Sequence, residues 1–326
     1  MAWVTWRQHR LALAGVAALF GVAALYLLIT GLQMHHAYAA VAACRPASSA
    51  PCQQVAGTFL ATYAPGVGPV LGLLQMIPAL IGAFVAAPVL ARELESGTFR
   101  YAWTQAFGRA RWTVAKLVPL AVAVTVAAAA FSAFVSWYIQ PLWGAGDDNG
   151  PLYPTIFDLR GVALAAWTLA AFAIGALAGI GIRRVIPAMF ATFASYAGLA
   201  FVTGAFLRRH YAAPVISANP DFHLRAWVIS QVWTRGGSPA SLSMINQTLR
   251  PVDIQAVTLG DFRPGPATPV NVDPVHYLVH HGYSQLTTYQ PDSRFWPFQW
   301  IEGGWLLALS LLLIAATVWL VRRRAA

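Results

Sequence analysis

RELESGTFRYAWTQAFGRARWTVAK, residues 92–116, separates two long apolar runs and holds five basic side chains together with Glu93 and Glu95. A basic excess on a short connection between apolar runs keeps it on the inner side of a membrane. Phe99, Tyr101, Trp103, Phe107 and Trp112 punctuate the charges. Two readings of that mixture stand side by side. An aromatic anchor with a charged rim is the anatomy of a binding hot spot, so a soluble partner docks there; alternatively, the rings sit at headgroup level along an interfacial helix.

Composition carries the membrane reading to the whole chain. The 326 residues are 58% hydrophobic and 10% charged, with 13 Trp and a formal net charge of +10. Soluble domains carry about 25% charged residues, so this chain lacks the polar groups to cover its apolar surface in water. Outward from residues 92–116, six stretches reach the roughly 20 apolar residues that a hydrocarbon core requires. They are residues 11–32, 68–91, 113–139, 162–182, 186–207 and 303–321. The expected fold class is an all-α polytopic membrane protein with six transmembrane helices. The interiors of these spans lack charge, which argues against a proton-relay transporter.

Orientation follows from the placement of Lys and Arg. With the N-terminus inside, the inner segments hold twelve of the 21 basic residues and two acids, while the outer segments hold nine arginines against nine acids. Both termini are therefore expected in the cytoplasm. Arg160 and the pair Arg208 and Arg209 do not fit, because they fall just outside their spans on the expected outer side. The basic balance is a topology signal. Nucleic-acid binding would need a basic face on a folded domain, and anionic headgroups supply the counter-charge instead.

The expected parts are an interfacial elbow at residues 1–10, helices one to five over 11–207, an extracytoplasmic domain at 208–302, and the sixth helix with a basic tail at 303–326. In the elbow Trp3 and Trp6 stand beside Arg7 and Arg10, a composition suited to the inner leaflet. Ala37, Tyr38 and Ala39 form a small-residue cleavage pattern, yet the apolar run before them exceeds the roughly 7–15 residues of a signal core, so it is read as a span.

Within this frame a few residues carry chemistry. Cys44 and Cys52, the only cysteines, flank a short Pro/Ser loop in the first outer connection. An oxidising exterior allows them to close a disulfide, although proximity in sequence does not establish the geometry and two free thiols remain the alternative. The second span contains Gln75 and Pro78, and a helix bent by proline with one polar side chain is a candidate wall of a substrate path. Thr192, Ser195 and Tyr196 in the fifth span are the matching polar groups. Gly175 and Gly179 lie four apart in the fourth span, spacing that lets helix backbones approach closely.

Other patterns carry less. Asp147 and Asp148 lack the third alternating ligand of a calcium loop. His276, His280 and His281 lack a nearby Cys or a carboxylate at motif spacing, so no metal site is expected. Trp227, Val228 and Ile229, and likewise Gln255, Ala256 and Val257, give the outer domain apolar content to bury. No P-loop occurs, and the sole lysine, Lys116, lacks the glycines that cradle phosphates. H-E-x-x-H and G-x-S-x-G are also missing, so no catalytic residue is assigned.

Arg92, Glu93, Leu94, Glu95, Ser96, Gly97 and Thr98, followed by Arg109, Arg111, Trp112 and Lys116, resemble the loop after the second span in the type-2 family of ATP-binding-cassette exporter permeases, especially its actinobacterial group. Thr5-Trp6-Arg7-Gln8 and Phe298-Gln299-Trp300-Ile301-Glu302 with the terminal arginines are similar to that group too. The long segment between the fifth and sixth spans departs from compact members.

The resemblance implies a permease subunit of an ABC exporter in the plasma membrane of a high-GC Gram-positive bacterium. It also implies a second permease subunit, as homo- or heterodimer, and a separate cytoplasmic ABC ATPase that carries ATP and Mg, with no cofactor in this chain. Glu93, Glu95, Gly97, Thr98, Phe99, Arg100 and Trp103 would then dock the ATPase and couple its motion to the second and fifth spans. The expected cargo is an amphipathic or hydrophobic drug, lipid or peptide. The alternative is a membrane-anchored sensor or scaffold whose outer domain binds a ligand and whose inner loop recruits a partner. A third class, a membrane enzyme using the outer histidines, is tested by metal analysis.

Overall fold

The computed structural model describes residues 2–97, 109–147, 149–218, 226–249 and 274–323. Among them, six helical stretches are long and apolar enough to cross a membrane: Ala14–Ala43, Ala50–Ser96, Ala110–Gly144, Ala163–Ile182, Val185–His210 and Asp292–Arg323. Contacts divide the chain into two compact units. The first comprises Met1–Asp147, Pro154–Arg208 and Phe295–Ala326, and the second Asp148–Tyr153 with Arg209–Arg294.

The first unit opens on α1 (Ala2–Ala43), which runs through residues 2–10 without setting them apart as an elbow. It ends at the CRPASSAPC turn, which leads into α2 (Ala50–Leu74). Cys44 and Cys52 are joined across this turn, with Cα atoms 5.6 Å apart. Residues 33–67, read from sequence mainly as a loop, are thus largely helix.

The second span is long and broken. After α2, Gln75 and Met76 form a turn before α3 (Ile77–Ile81), a π-helical segment Gly82–Ala86, and α4 (Ala87–Ser96). Proline accounts for the interruptions: Pro78 opens α3 and Pro88 opens α4, and neither can donate the backbone N–H that a continuous α-helix uses at that position. Ala87 N–H instead bonds Gly82 O, the wider spacing of a π-bulge.

The third span is α5 (Arg109–Gly144), followed by the single turn α6 (Pro154–Phe157). The helix α7 (Ala163–Ile182) comes next. It is apolar all round, and a helix of that kind is stable only inside a bundle. It packs against α3, the π segment, α4 and α5, and against the two later helices of this unit, α8 and α11. The first of these, α8 (Val185–Val202), ends in a second π segment, Thr203–Leu207, and a 3₁₀ turn, Arg208–His210. The last helix, α11 (Phe295–Arg323), begins eight residues before the span expected from hydropathy, so Gln299 and Glu302 are helical.

Gly175 and Gly179 lie on the face of α7 that meets the second span. A Cβ on Gly175 would overlap the carbonyl oxygen of Gly82, and one on Gly179 would stand 2.5 Å from the carbonyl oxygen of Ala87. Backbones can come this close only where side chains are missing.

The second unit corrects the all-α expectation. It holds a four-stranded antiparallel sheet in the order β1-β4-β2-β3, formed by β1 (Val215–Ala218), β2 (Trp227–Arg235), β3 (Ser238–Pro239) and β4 (Tyr283–Gln290). The hairpin between β2 and β3 turns on Gly236 and Gly237 at φ of 58° and 82°, the left-handed pair that a two-residue hairpin loop requires. Two short helices, α9 (Leu242–Leu249) and α10 (Pro274–His280), complete the unit. Its core is Trp233, Ala240, Ile245, Leu249, Leu278 and Tyr283. Along β2 the side chains alternate between half-buried and exposed from Trp227 to Val232, the two faces of a strand, although the residue types themselves do not alternate. Val228 belongs to β2, whereas Gln255, Ala256 and Val257 lie outside the described residues.

Candidate functional site

Polar side chains of the first unit gather in two places. One is the end of α4. Glu93 forms an ion pair with Lys116 of α5, and the Lys116 ammonium lies 4.3 Å over the Trp112 ring. Glu95 Oε2 accepts a hydrogen bond of 3.0 Å from the Val185 backbone N–H. That N–H opens α8, where a carboxylate caps an orphan donor and meets the positive end of the helix dipole. The last turn of α4 is therefore tied both to α5 and to the start of α8. Gly97, at φ of 71°, ends α4 as a left-handed cap. Thr98, Phe99, Arg100 and Trp103 lie outside the described residues.

The other gathering lies where α8 runs out. Arg208 is 1% exposed and Glu302 fully buried. Arg208 Nε donates to Glu302 Oε2 at 3.0 Å and Nη2 donates to Glu302 Oε1 at 2.8 Å. The same Nη2 pairs with Asp158, in the connection between α6 and α7. The guanidinium also lies 4.3 Å over the Phe157 ring. Trp167 of α7 donates to Glu302 Oε1 at 2.8 Å. The remaining guanidinium nitrogen, Nη1, is buried without a hydrogen-bond partner.

Around this pair the connection is fixed by amide contacts. Gln299 Nε2 donates to Phe157 O at 3.0 Å, and its Oε1 accepts from Ala163 N–H at 2.8 Å. Gly161, at φ of 60°, passes so close to Gln299 that a Cβ would collide with it. Burial raises the Asp158 carboxyl to about 6, with Arg208 acting in the opposite direction. Arg160, whose Nε donates to Ser136 and whose guanidinium lies 4.3 Å over Trp143, is lowered to about 10 by burial. Arg160 and Arg208, two of the three basic residues that disagreed with the charge rule, are thus sequestered against rings and polar partners. The rule concerns solvated charges flanking the spans, and these two are packed into the protein instead.

The expected path residues divide. Gln75 sits in the turn between α2 and α3, with Nε2 donating to Pro154 O at 3.1 Å and to Asp158 Oδ2 at 3.3 Å. Tyr196 is buried with its ring edge-on to Trp167 at 5.6 Å. These two border the Arg208 cluster through Asp158 and Trp167. Pro78 is buried in α3. Thr192 is buried and donates to Ala188 O within its own helix. Ser195 is exposed on α8, apart from the cluster.

Asp158, Arg208, Trp167 and Glu302 were not singled out from sequence as a site. The available signals were the charge-rule misfits Arg160 and Arg208, and the position of Glu302 beside the last apolar run. Among the described residues no group of three or more His, Cys, Asp and Glu side chains could hold a metal ion. In α10 His276 and His280 pack ring against ring at 4.5 Å, and His281 Nδ1 lies 2.7 Å from Tyr277 O.

A protein-family model described as ABC-2 membrane transporter related matches residues 16–208, the stretch from early α1 to the buried arginine. No curated protein matches the chain, and no solved structure does. With more than half of its length matched, the chain belongs to the ABC-2 membrane transporter related family, whose members are membrane permease subunits of ABC transporters.

Proposed function

We propose that the chain is the permease subunit of an ATP-driven exporter. It moves an amphipathic or hydrophobic molecule, a drug, lipid or peptide, across the plasma membrane. Both termini and residues 92–116 face the cytoplasm, where a separate ATPase binds and hydrolyses ATP with Mg. The chain is not itself an enzyme, and a second permease subunit completes the path.

The observation that carries this reading is the double attachment of α4. Glu93 holds Lys116 of α5 and Glu95 holds the first N–H of α8, so a force on the segment after Gly97 reaches three spans at once. Close glycine packing of α7 against the same broken span would pass that motion to the centre of the bundle. The π segments of the second and fifth spans and the proline breaks of the second are suited to absorbing it.

The test is co-purification of a co-expressed P-loop ATPase with the full chain. Replacing Glu93, Phe99 and Trp103 by Ala is expected to release the ATPase while the permease stays folded. Unchanged ATPase binding would remove the coupling role from this loop.

A further inference from the structure

A cavity of about 150 Å³ opens between α1, α2 and α5. Its polar lining is Tyr26, Thr30 and Gln33 from α1, Thr62 and Tyr63 from α2, and Tyr138 from α5. None of its lining residues is charged. Six polar side chains converging on one space within helices this apolar need a physical reason, since polar groups in a bilayer are costly unless they are matched.

The three hydropathy runs place the cavity in depth. Tyr26 to Gln33 lie at the end of the first run, Tyr138 at the end of the third, and Thr62 and Tyr63 just before the second begins. All three therefore put it at one boundary between hydrocarbon and headgroups. Trp137 and His35, stacked at 4.6 Å, lie beside it, as expected of the aromatic belt at such a boundary. This placement rests on the membrane reading alone and is independent of export.

The chemistry of the wall selects its occupant. Thr62 donates its hydroxyl proton to Thr58 O at 2.8 Å, which leaves its oxygen as an acceptor; Thr30 donates to Tyr26 O at 2.8 Å and also meets the Tyr138 hydroxyl, so these two are matched within the wall. The Gln33 amide and the Tyr26 and Tyr63 hydroxyls supply donors as well as acceptors. A phosphate or carboxylate would meet no cation here, and an ammonium would meet no carboxylate. A quaternary ammonium could still use ring faces. However, Tyr63 packs its ring against Phe59 at 5.1 Å, and Tyr138 is 4% exposed, so those faces are largely engaged. The groups that remain match a molecule whose own groups both donate and accept, which is a polyhydroxyl ring. A cavity of about 150 Å³ takes a single six-membered ring.

We propose that this cavity binds one uncharged sugar ring, presented as the headgroup of a glycolipid at the membrane surface. Tyr26, half-exposed, and Gln33, exposed, stand at its mouth, and the acyl chains would run along the apolar surface of α1.

The experiment uses the full chain purified in a polyoxyethylene detergent, which carries no sugar. Native mass spectrometry reads retention of glucosyl diacylglycerol against phosphatidylcholine and phosphatidylglycerol of the same acyl chains. The glucosyl lipid is expected to be held about tenfold more strongly than either phospholipid. Gln33→Leu and Thr62→Val should each reduce that preference about fivefold, the effect of one lost hydrogen bond, with unchanged thermal unfolding. Competition by millimolar free glucose supports the sugar site and identifies a soluble source; retention that free glucose does not touch supports it and identifies the lipid. Equal retention of phosphatidylcholine, or a preference that survives both substitutions, overturns the proposal.

Discussion

Arg208 and Glu302, separated by 94 positions in sequence, meet through hydrogen bonds of 2.8 and 3.0 Å, with Glu302 fully buried. A buried pair of this kind contributes little net stability compared with apolar residues of the same shape, but removing one partner costs about 3–5 kcal/mol, and after loss of Glu302 the guanidinium keeps only the partly exposed Asp158. Glu302→Gln is therefore expected to lower the thermal stability of the purified chain severely. The triple variant D158N/R208M/E302L, which removes all three charges of the cluster, should recover most of the loss. Heating each variant in detergent and following the monodisperse fraction checks both, and a Glu302→Gln protein as stable as the original would contradict the account of the pair.

Asp158 gives a pH dependence with a definite sign. Its folded-state carboxyl titrates at about 6 against an ordinary value of 3.8, so between those values the folded chain holds a proton that the unfolded chain has released. Stability from this group is full below that window and is lost as pH rises through it. Arg208, Glu302, Gln75 and Tyr196 surround the group. Of these, Arg208 already serves Glu302, so protonation removes the excess negative charge. The apparent melting temperature at pH 5 is expected to exceed that at pH 7, and Asp158→Asn should flatten the difference. Parallel profiles for the two proteins would count against the assignment.

The contact of α7 with the second span makes a steric prediction. Gly175→Ala places a methyl on the Gly82 carbonyl, whereas Gly181→Ala meets nothing within 4 Å. Overpacking of this kind costs about 1–3 kcal/mol, while Gly→Ala in an open helical position gains up to about 1 kcal/mol. Thermal unfolding of the two single variants is thus expected to shift in opposite directions.

How far the sequence could be read follows from the physics of each element. Uncharged apolar runs over 162–182 and 186–207 locate α7 and α8 to within a few residues, because hydrocarbon selects for that pattern. Gly175 and Gly179 were legible through their spacing. The helical extent of residues 33–67 was not, since hydropathy detects lipid contact and a helix continuing beyond the hydrocarbon has the composition of a loop. Trp227 to Arg235 was not legible as a strand either, because its apolar residues come in runs, 227–229 and 232–233, and only their burial in the folded sheet alternates. Arg208 and Glu302 escaped because each lies at the margin of an apolar run. There composition cannot tell a solvated charge from one paired across 94 residues.

The most direct measurement concerns the segment that α4 leads into. A photocrosslinker attached to Ser96→Cys in cells is expected to give a light-dependent adduct with a P-loop ATPase and to stay inaccessible to a membrane-impermeant maleimide added outside. Labelling of that cysteine from the exterior of intact cells, with no ATPase adduct, would contradict the assignment of this turn as the site where the permease receives mechanical work.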